Sequence, residues 1–289
     1  MIGARSKAAL LFAIAALAAP LIVTQPAPAA DDSGGWFPIG PGGEAKIFSK
    51  TTTQDPFELQ TKGPLDIQFD HVDVAPNGTT GLVSRQGIVV VAVATGAATV
   101  RSPQADRCAS RTVSAGSAVI QPAGSVSEIR NDGSGNLELY VASLTAGGVG
   151  AAGTPPSGPC EAAPASGATT EALNHSVIEA PLNAESKGTS DVYFGAARLA
   201  PRGQVAWHVQ HRPLLAGVAK GDLALHLAHD GRCDVTVYRP NAGFYEPPNM
   251  VHEVTNETDQ PGFFYVVAFA ESPRPLLAPA AQPKECENS

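Results

Sequence analysis

Residues 75–96, APNGTTGLVSRQGIVVVAVATG, and residues 200–221, APRGQVAWHVQHRPLLAGVAKG, are two versions of one segment, 125 positions apart. Each opens on Ala-Pro-x-Gly, passes through an apolar run and closes on a glycine, Gly96 or Gly221. That is the pattern of a strand stopping at a tight turn, where glycine supplies a positive φ without steric cost. The same offset extends in both directions. Upstream it carries Lys62-Gly63 onto Lys187-Gly188, and Asp66 and Phe69 onto Asp191 and Phe194. Downstream it carries Arg107-Cys108 onto Arg232-Cys233, Pro122 onto Pro247, Asn131 onto Asn256, and Tyr140-Val141 onto Tyr265-Val266. Two unrelated β-rich segments would not keep one offset across so many turn residues, so the chain holds two copies of one domain.

Around these copies the composition is that of an all-β protein. Short Val/Ile/Phe/Tyr runs recur between turn residues, Gly and Pro number 29 and 25, and no long amphipathic helical period follows the first thirty residues. The expected organisation is a first barrel over 61–145 and a second over 176–272. A Gly/Ala/Pro-rich linker is expected at 146–175, an N-terminal extension at 31–60 and a C-terminal tail at 273–289, each free to pack against a barrel.

Residues 1–30 read as an export signal. Arg5 and Lys7 precede an apolar stretch from Ala8 to Val23, and Ala27 and Ala29 satisfy the small-x-small cleavage rule. The stretch is short and Ala-rich for a membrane span, although an uncleaved signal anchor is the competing reading. The chain carries 19 basic and 27 acidic residues, and removing the signal makes it more acidic still. This argues against nucleic acid as a partner. A secreted, extracellular protein with no membrane attachment after signal removal is expected.

Four cysteines allow three pairings. Cys108 and Cys160 stand 52 residues apart and Cys233 and Cys286 stand 53 apart, each pair joining a hairpin to the segment after its barrel. In an exported chain the repeat selects Cys108–Cys160 and Cys233–Cys286 as disulfides. A zinc site is the rival reading, but the cysteines are dispersed and no C-x-x-C occurs.

In the second copy, Gly203, Trp207-His208-Val209-Gln210, Gly221 and the run Glu246-Pro247-Pro248-Asn249-Met250-Val251-His252-Glu253-Val254-Thr255-Asn256 resemble the two signature motifs of the cupin superfamily. The resemblance covers nearly all of both copies and implies a bicupin, two tandem antiparallel β-barrels of the jelly-roll kind. In that family two histidines, a glutamate and a later histidine bind one metal ion inside the barrel. Here His208 takes the first position, Gln210 the second, Leu214 the glutamate position and His252 the last. Alternation on a strand lets His208 and Gln210 face inward together, with His252 arriving from a separate hairpin. The implied cofactor is a divalent Mn, Fe, Ni or Zn on His208, Gln210 and His252, weakened by the missing carboxylate. A strand bulge would let His211 turn in as a further ligand. Trp207, Leu214, Tyr245 and Glu246 are candidates for a small-molecule pocket. Glu246 is either a proton-transfer group or ligand contact there, or a solvent-facing carboxylate at the barrel mouth.

In the first copy Val83, Arg85, Val89 and Ser127 occupy the four ligand positions, so its metal site is lost while Gly116, Pro122, Gly124 and Asn131 keep the motif framework. Arg85 either binds an anion such as a carboxylate inside that barrel or snorkels to the rim. His71, His175, His226 and His229 read as surface residues. No G-x-S-x-G, H-E-x-x-H or P-loop pattern occurs, which removes serine hydrolase, zinc protease and nucleotide-binding readings. The reading favoured is a secreted bicupin with a partial metal or small-molecule site in the second barrel and no assigned reaction. The alternatives are a metal-dependent enzyme, oxygenase-like or decarboxylase-like by resemblance, and a non-catalytic binding or structural protein without metal. Cupin barrels often pair through their outer sheets, which implies either a homo-oligomer or two copies packed as an internal pseudo-dimer.

Overall fold

The computed structural model describes residues 37–147, 158–161 and 163–287, so the export signal expected at 1–30 lies outside the described residues. Two strands precede the first copy, β1 (Gly43–Thr53) and β2 (Phe57–Gln60). The first copy comprises β3 (Leu65–Thr79), β4 (Val83–Ser84), β5 (Ile88–Thr95), β6 (Ala97–Gln104), β7 (Arg107–Ser114), β8 (Ala118–Gln121), β9 (Val126–Arg130) and β10 (Leu137–Ala146). After β11 (Ser166–Ile178) and β12 (Asn183–Ser186) comes the second copy. It comprises β13 (Ser190–Leu199), β14 (Gln204–Val209), β15 (Leu214–Lys220), β16 (Leu223–His229), β17 (Arg232–Tyr238), β18 (Gly243–Glu246), β19 (Val251–Thr255) and β20 (Gly262–Glu271). A short β21 (Ala278–Pro279) and a single 3-10 turn, Lys284–Cys286, end the described chain.

All the ladders in the named sheets are antiparallel. In the second barrel the order β1-β13-β20-β15-β18 faces β17-β16-β19-β14-β21. Leu199, Leu214, Ala216 and Phe264 from the first of these sheets meet Val205, Leu225 and Val254 from the other in one buried core. The first barrel repeats the plan with β11-β3-β10-β5-β8 and β7-β6-β9-β4, joined through the pair Thr79↔Arg130. Its interior is lined by Val72, Val89, Val91, Val119, Ile129 and Leu139.

A third core lies between the barrels. Phe57, Phe69 and Val90 pack there with Phe194, Leu215 and Phe269, and the rings of Phe57 and Phe269 stack at 4.5 Å. Each such side chain contributes about 1.5–3 kcal/mol on full burial. This explains the unbroken apolar runs of β5 and β15. Val89, Val91 and Val93 face the barrel interior while Val90 and Ala92 face the shared core, so a sheet covered on both sides shows no polar alternation. Both closing glycines have the expected positive φ, and a Cβ at Gly96 or Gly221 would stand 2.8 Å from a backbone carbonyl.

The flanking segments pack against the barrels as strands. Within the stretch read as an N-terminal extension, β1 joins the second barrel by pairing along β13 from Gly43↔Leu199 to Thr53↔Ser190. Within the stretch read as a linker, β11 joins the first barrel by pairing along β3, and β2 pairs with β12. The repeat is therefore longer than 61–145, and each copy's leading strand crosses to the other copy. Most of β11 is exposed, because an edge strand is held by its backbone ladder and needs few apolar side chains. The tail is likewise built in: Leu276 and Leu277 belong to the second barrel's core and β21 pairs with β14. The cysteines pair as Cys108–Cys160 and Cys233–Cys286.

Candidate metal centre

The second barrel buries a small polar cluster at the end of its core. His208 on β14 and His252 on β19 are direct cross-strand partners, with ring centroids 4.3 Å apart. Each imidazole is fixed by its own strand. His208 Nδ1 lies 2.8 Å from the Ala206 carbonyl and His252 Nδ1 lies 2.9 Å from the Met250 carbonyl. Donation to a carbonyl places the proton on Nδ1 and leaves the Nε2 lone pair free, the tautomer a metal ligand requires.

Both Nε2 atoms point at one carboxylate. Glu246 Oε2 is 3.1 Å from His252 Nε2 and 3.8 Å from His208 Nε2, and all three side chains are fully buried. The three groups offer ligand atoms within 4.8 Å of one another. Burial alone would raise the Glu246 carboxyl, but His252 and His208 outweigh it and hold the group down at about 2. Burial pushes His252 toward its neutral form, and the neighbouring carboxylate reverses this and raises the imidazole above its ordinary value. Gln210 completes the group. Its Nε2 donates to the Glu246 carbonyl at 3.2 Å, which leaves its Oε1 buried as an acceptor with no donor.

The position of Glu246 explains how the carboxylate returns. In the β15–β18 ladder Leu214 is paired with Glu246, so the acid absent from position 214 is supplied by the residue directly across the sheet. The reading of Glu246 as a solvent-facing carboxylate is overturned by its complete burial. Motif spacing places the acid on β15 and is blind to its cross-strand partner. The signal available was the substitution of Gln121 by Glu246 between the two copies.

Several expected site residues lie elsewhere. A bulge does occur between Val205 and His208, but it ends before His211, which is exposed and hydrogen-bonded to Asn249 Oδ1 at 2.8 Å. Trp207 falls within the bulge and packs edge-on to His226 on the outside of the sheet, away from the cluster. Tyr245 alternates away from Glu246 into the core between the barrels, where its hydroxyl donates to the Asn183 carbonyl. Leu214 is buried in the core. His226 is not a surface residue: it is 3% exposed and contacts Thr255 Oγ1 and Glu257 Oε1 at 3.2 and 3.0 Å.

Segments flanking the barrel pack against the cluster. Phe37 packs edge-on against His208 and Phe264, and Ile39 bridges to Val205. On the other side Pro279 of β21 pairs with His208, and the Cys233–Cys286 disulfide pins the following turn to β17.

Two antiparallel β-barrels, exchanged leading strands and, among the described residues, one buried His/Glu/His cluster define this molecule. No family model and no curated protein matches the chain. Among solved structures it is similar to a deletion mutant and a single-site mutant of Bacillus subtilis oxalate decarboxylase. Each is 15% identical with a TM-score of 0.35, over 76% of this chain and 76% and 77% of theirs. Likeness at that level carries no argument about the site, whose chemistry follows from the residues above.

Proposed function

We propose that the second barrel is a metal centre in which His208 and His252, through Nε2, and Glu246, through its carboxylate, hold one divalent transition metal. Gln210 Oε1 is available as a fourth ligand. One observation carries the reading. His208 Nε2, His252 Nε2, Gln210 Oε1 and both Glu246 oxygens are buried with no hydrogen-bond partner. Five orphaned acceptors in one place are costly, each by about 1–3 kcal/mol, unless a cation or protons satisfy them. Two imidazoles and a carboxylate suit Mn, Fe, Ni or Zn.

Such an ion supplies Lewis acidity and lowers the pKa of a bound water. The chain's own residues orient the ligands, exclude water and keep the histidines in the ligating tautomer. Enclosure by Phe37 and β21 favours a metal-binding or structural role over turnover of a substrate, so we assign no oxygenase or decarboxylase reaction. Two disulfides support export, and among the described residues no helix is long and apolar enough to cross a membrane.

Elemental analysis of protein purified without an affinity tag tests the reading. About one equivalent of transition metal, lost in His208→Ala/His252→Ala, is expected. No bound metal after reconstitution with each of the four ions contradicts it.

A further inference from the structure

The first barrel has lost the metal ligands, yet its interior is not apolar. Arg85 occupies the position equivalent to Gln210, Gln121 that of Glu246, and Ser127 that of His252. The β5–β8 ladder pairs Val89 with Gln121 just as β15–β18 pairs Leu214 with Glu246. Arg85 lines a cavity of about 190 Å³ walled by Val72, Val83, Val91, Ile129 and Leu139. Gln121, Ser125 and Ser127 line a second cavity of about 330 Å³. Their walls are ladder neighbours, since Val91 of one pairs with Val119 of the other and Val83 of one pairs with Ser127 of the other.

Several polar atoms of this interior are unpaired. Arg85 Nε, both amide atoms of Gln121, and the hydroxyls of Ser125 and Ser127 are buried with no partner. Among the described residues no acid forms an ion pair with Arg85. Asp70 shares its cavity, but its carboxylate accepts from Gln68 Nε2 at 2.9 and 3.1 Å. The backbone around Arg85 is held: its N–H donates to the Ser125 carbonyl and its carbonyl accepts from Gly124, both at 2.8 Å. Burial lowers the guanidinium from its ordinary value.

We propose that the interior of the first barrel binds a small organic carboxylate, with Arg85 as its charged anchor and Gln121, Ser125 and Ser127 as neutral hydrogen-bonding partners. A guanidinium fork matches a planar carboxylate through two parallel hydrogen bonds. The valine, isoleucine and leucine walls suit a ligand with a hydrocarbon body better than an inorganic oxyanion. The site is independent of the metal centre, which lies in the other barrel.

Calorimetric titration of the metal-stripped full chain with acetate, propionate and succinate tests this, with succinamide and inorganic phosphate as controls. The expected result is saturable binding of at least one carboxylate at one site per chain. Affinity should fall at least tenfold in Arg85→Met, fall several-fold in Arg85→Lys and stay unchanged in His208→Ala/His252→Ala. Succinamide should not bind. Without ligand, Arg85→Met should unfold at or above the parent temperature, since it removes a partly buried guanidinium whose Nε has no partner. The proposal is overturned by any of three outcomes: no saturable carboxylate binding, phosphate binding as tight as the best carboxylate, or full affinity in Arg85→Lys and in a folded Arg85→Met.

Discussion

The two barrels share a strand plan and differ in what they bury at the same depth. In the second, β14, β18 and β19 bring together two imidazoles and a carboxylate, a set rich in acceptors. In the first, Arg85, Gln121 and Ser127 occupy matching places with Ser125 beside them, a set rich in donors and carrying a positive charge. Neither interior is satisfied by its own protein groups. Duplication has thus left one frame with two interiors of opposite polarity, one suited to a cation and the other to an anion.

The frame itself can be separated from these interiors. Asn131 and Asn256 are both buried and brace corresponding loops. Asn131 Nδ2 donates to Val74 and Gly135 carbonyls at 2.8 Å, and Asn256 Nδ2 donates to Leu199, Ala200 and Gln260 carbonyls. The outer faces also correspond. Glu128 accepts from Thr79 at 2.6 Å and from Arg101 at 2.7 Å. Its counterpart Glu253 faces His226 across the β16–β19 ladder.

The largest expected effect is on metal retention. His208→Ala/His252→Ala should abolish the thermal stabilisation that zinc gives the parent, about 2.7 kcal/mol at a hundredfold excess over Kd. Differential scanning calorimetry with and without zinc reads this directly, and an unchanged zinc effect would remove the second barrel from the account.

The disulfides come next. Each closes a loop of similar length, with separations of 52 and 53, so chain entropy predicts similar losses of about 2–4 kcal/mol on replacement by serine. Their functional consequences should differ. Cys233→Ser/Cys286→Ser frees the turn following β21, which lies against His208, and should speed metal loss to a chelator. Cys108→Ser/Cys160→Ser should not. Equal chelation rates in the two variants would show that the tail does not guard the site.

A smaller effect concerns pH. In metal-free protein the raised His252 imidazole contributes stability that is fully present below its unfolded value of about 6.5 and is lost as pH rises through the higher folded value. The Glu246 carboxyl, held at about 2, contributes stability above its unfolded value that is lost as pH falls toward about 2. Metal-free protein should therefore lose stability on the alkaline side, whereas metal-loaded protein, which needs neutral imidazoles, should gain it there. Melting curves recorded across pH with and without zinc should diverge, and parallel curves would contradict the shared site. Smallest of all, Gln210→Leu should weaken metal binding by about tenfold, as loss of a neutral ligand with the charged set intact.

Much of this was legible from residue order. The constant offset reveals the duplication, the cysteine spacing selects the pairing seen, and His208 and His252 stand out at matched motif positions. Two features were hidden for physical reasons. Strand exchange depends on backbone hydrogen bonds, which any residue type can make, so Ala168, Thr169 and Thr170 of β11 resemble a linker while pairing with β3. The role of Glu246 depends on register between β15 and β18, and register joins residues 32 positions apart that no linear motif connects.

That register is the centre of the account, and moving the carboxylate back across it is the most direct test. Glu246→Gln should lose the metal, and adding Leu214→Glu to that variant should restore about one equivalent by elemental analysis, because the two positions face one another in the ladder. Full metal content in Glu246→Gln alone would contradict the assignment of Glu246 as the ligand that replaces the missing acid.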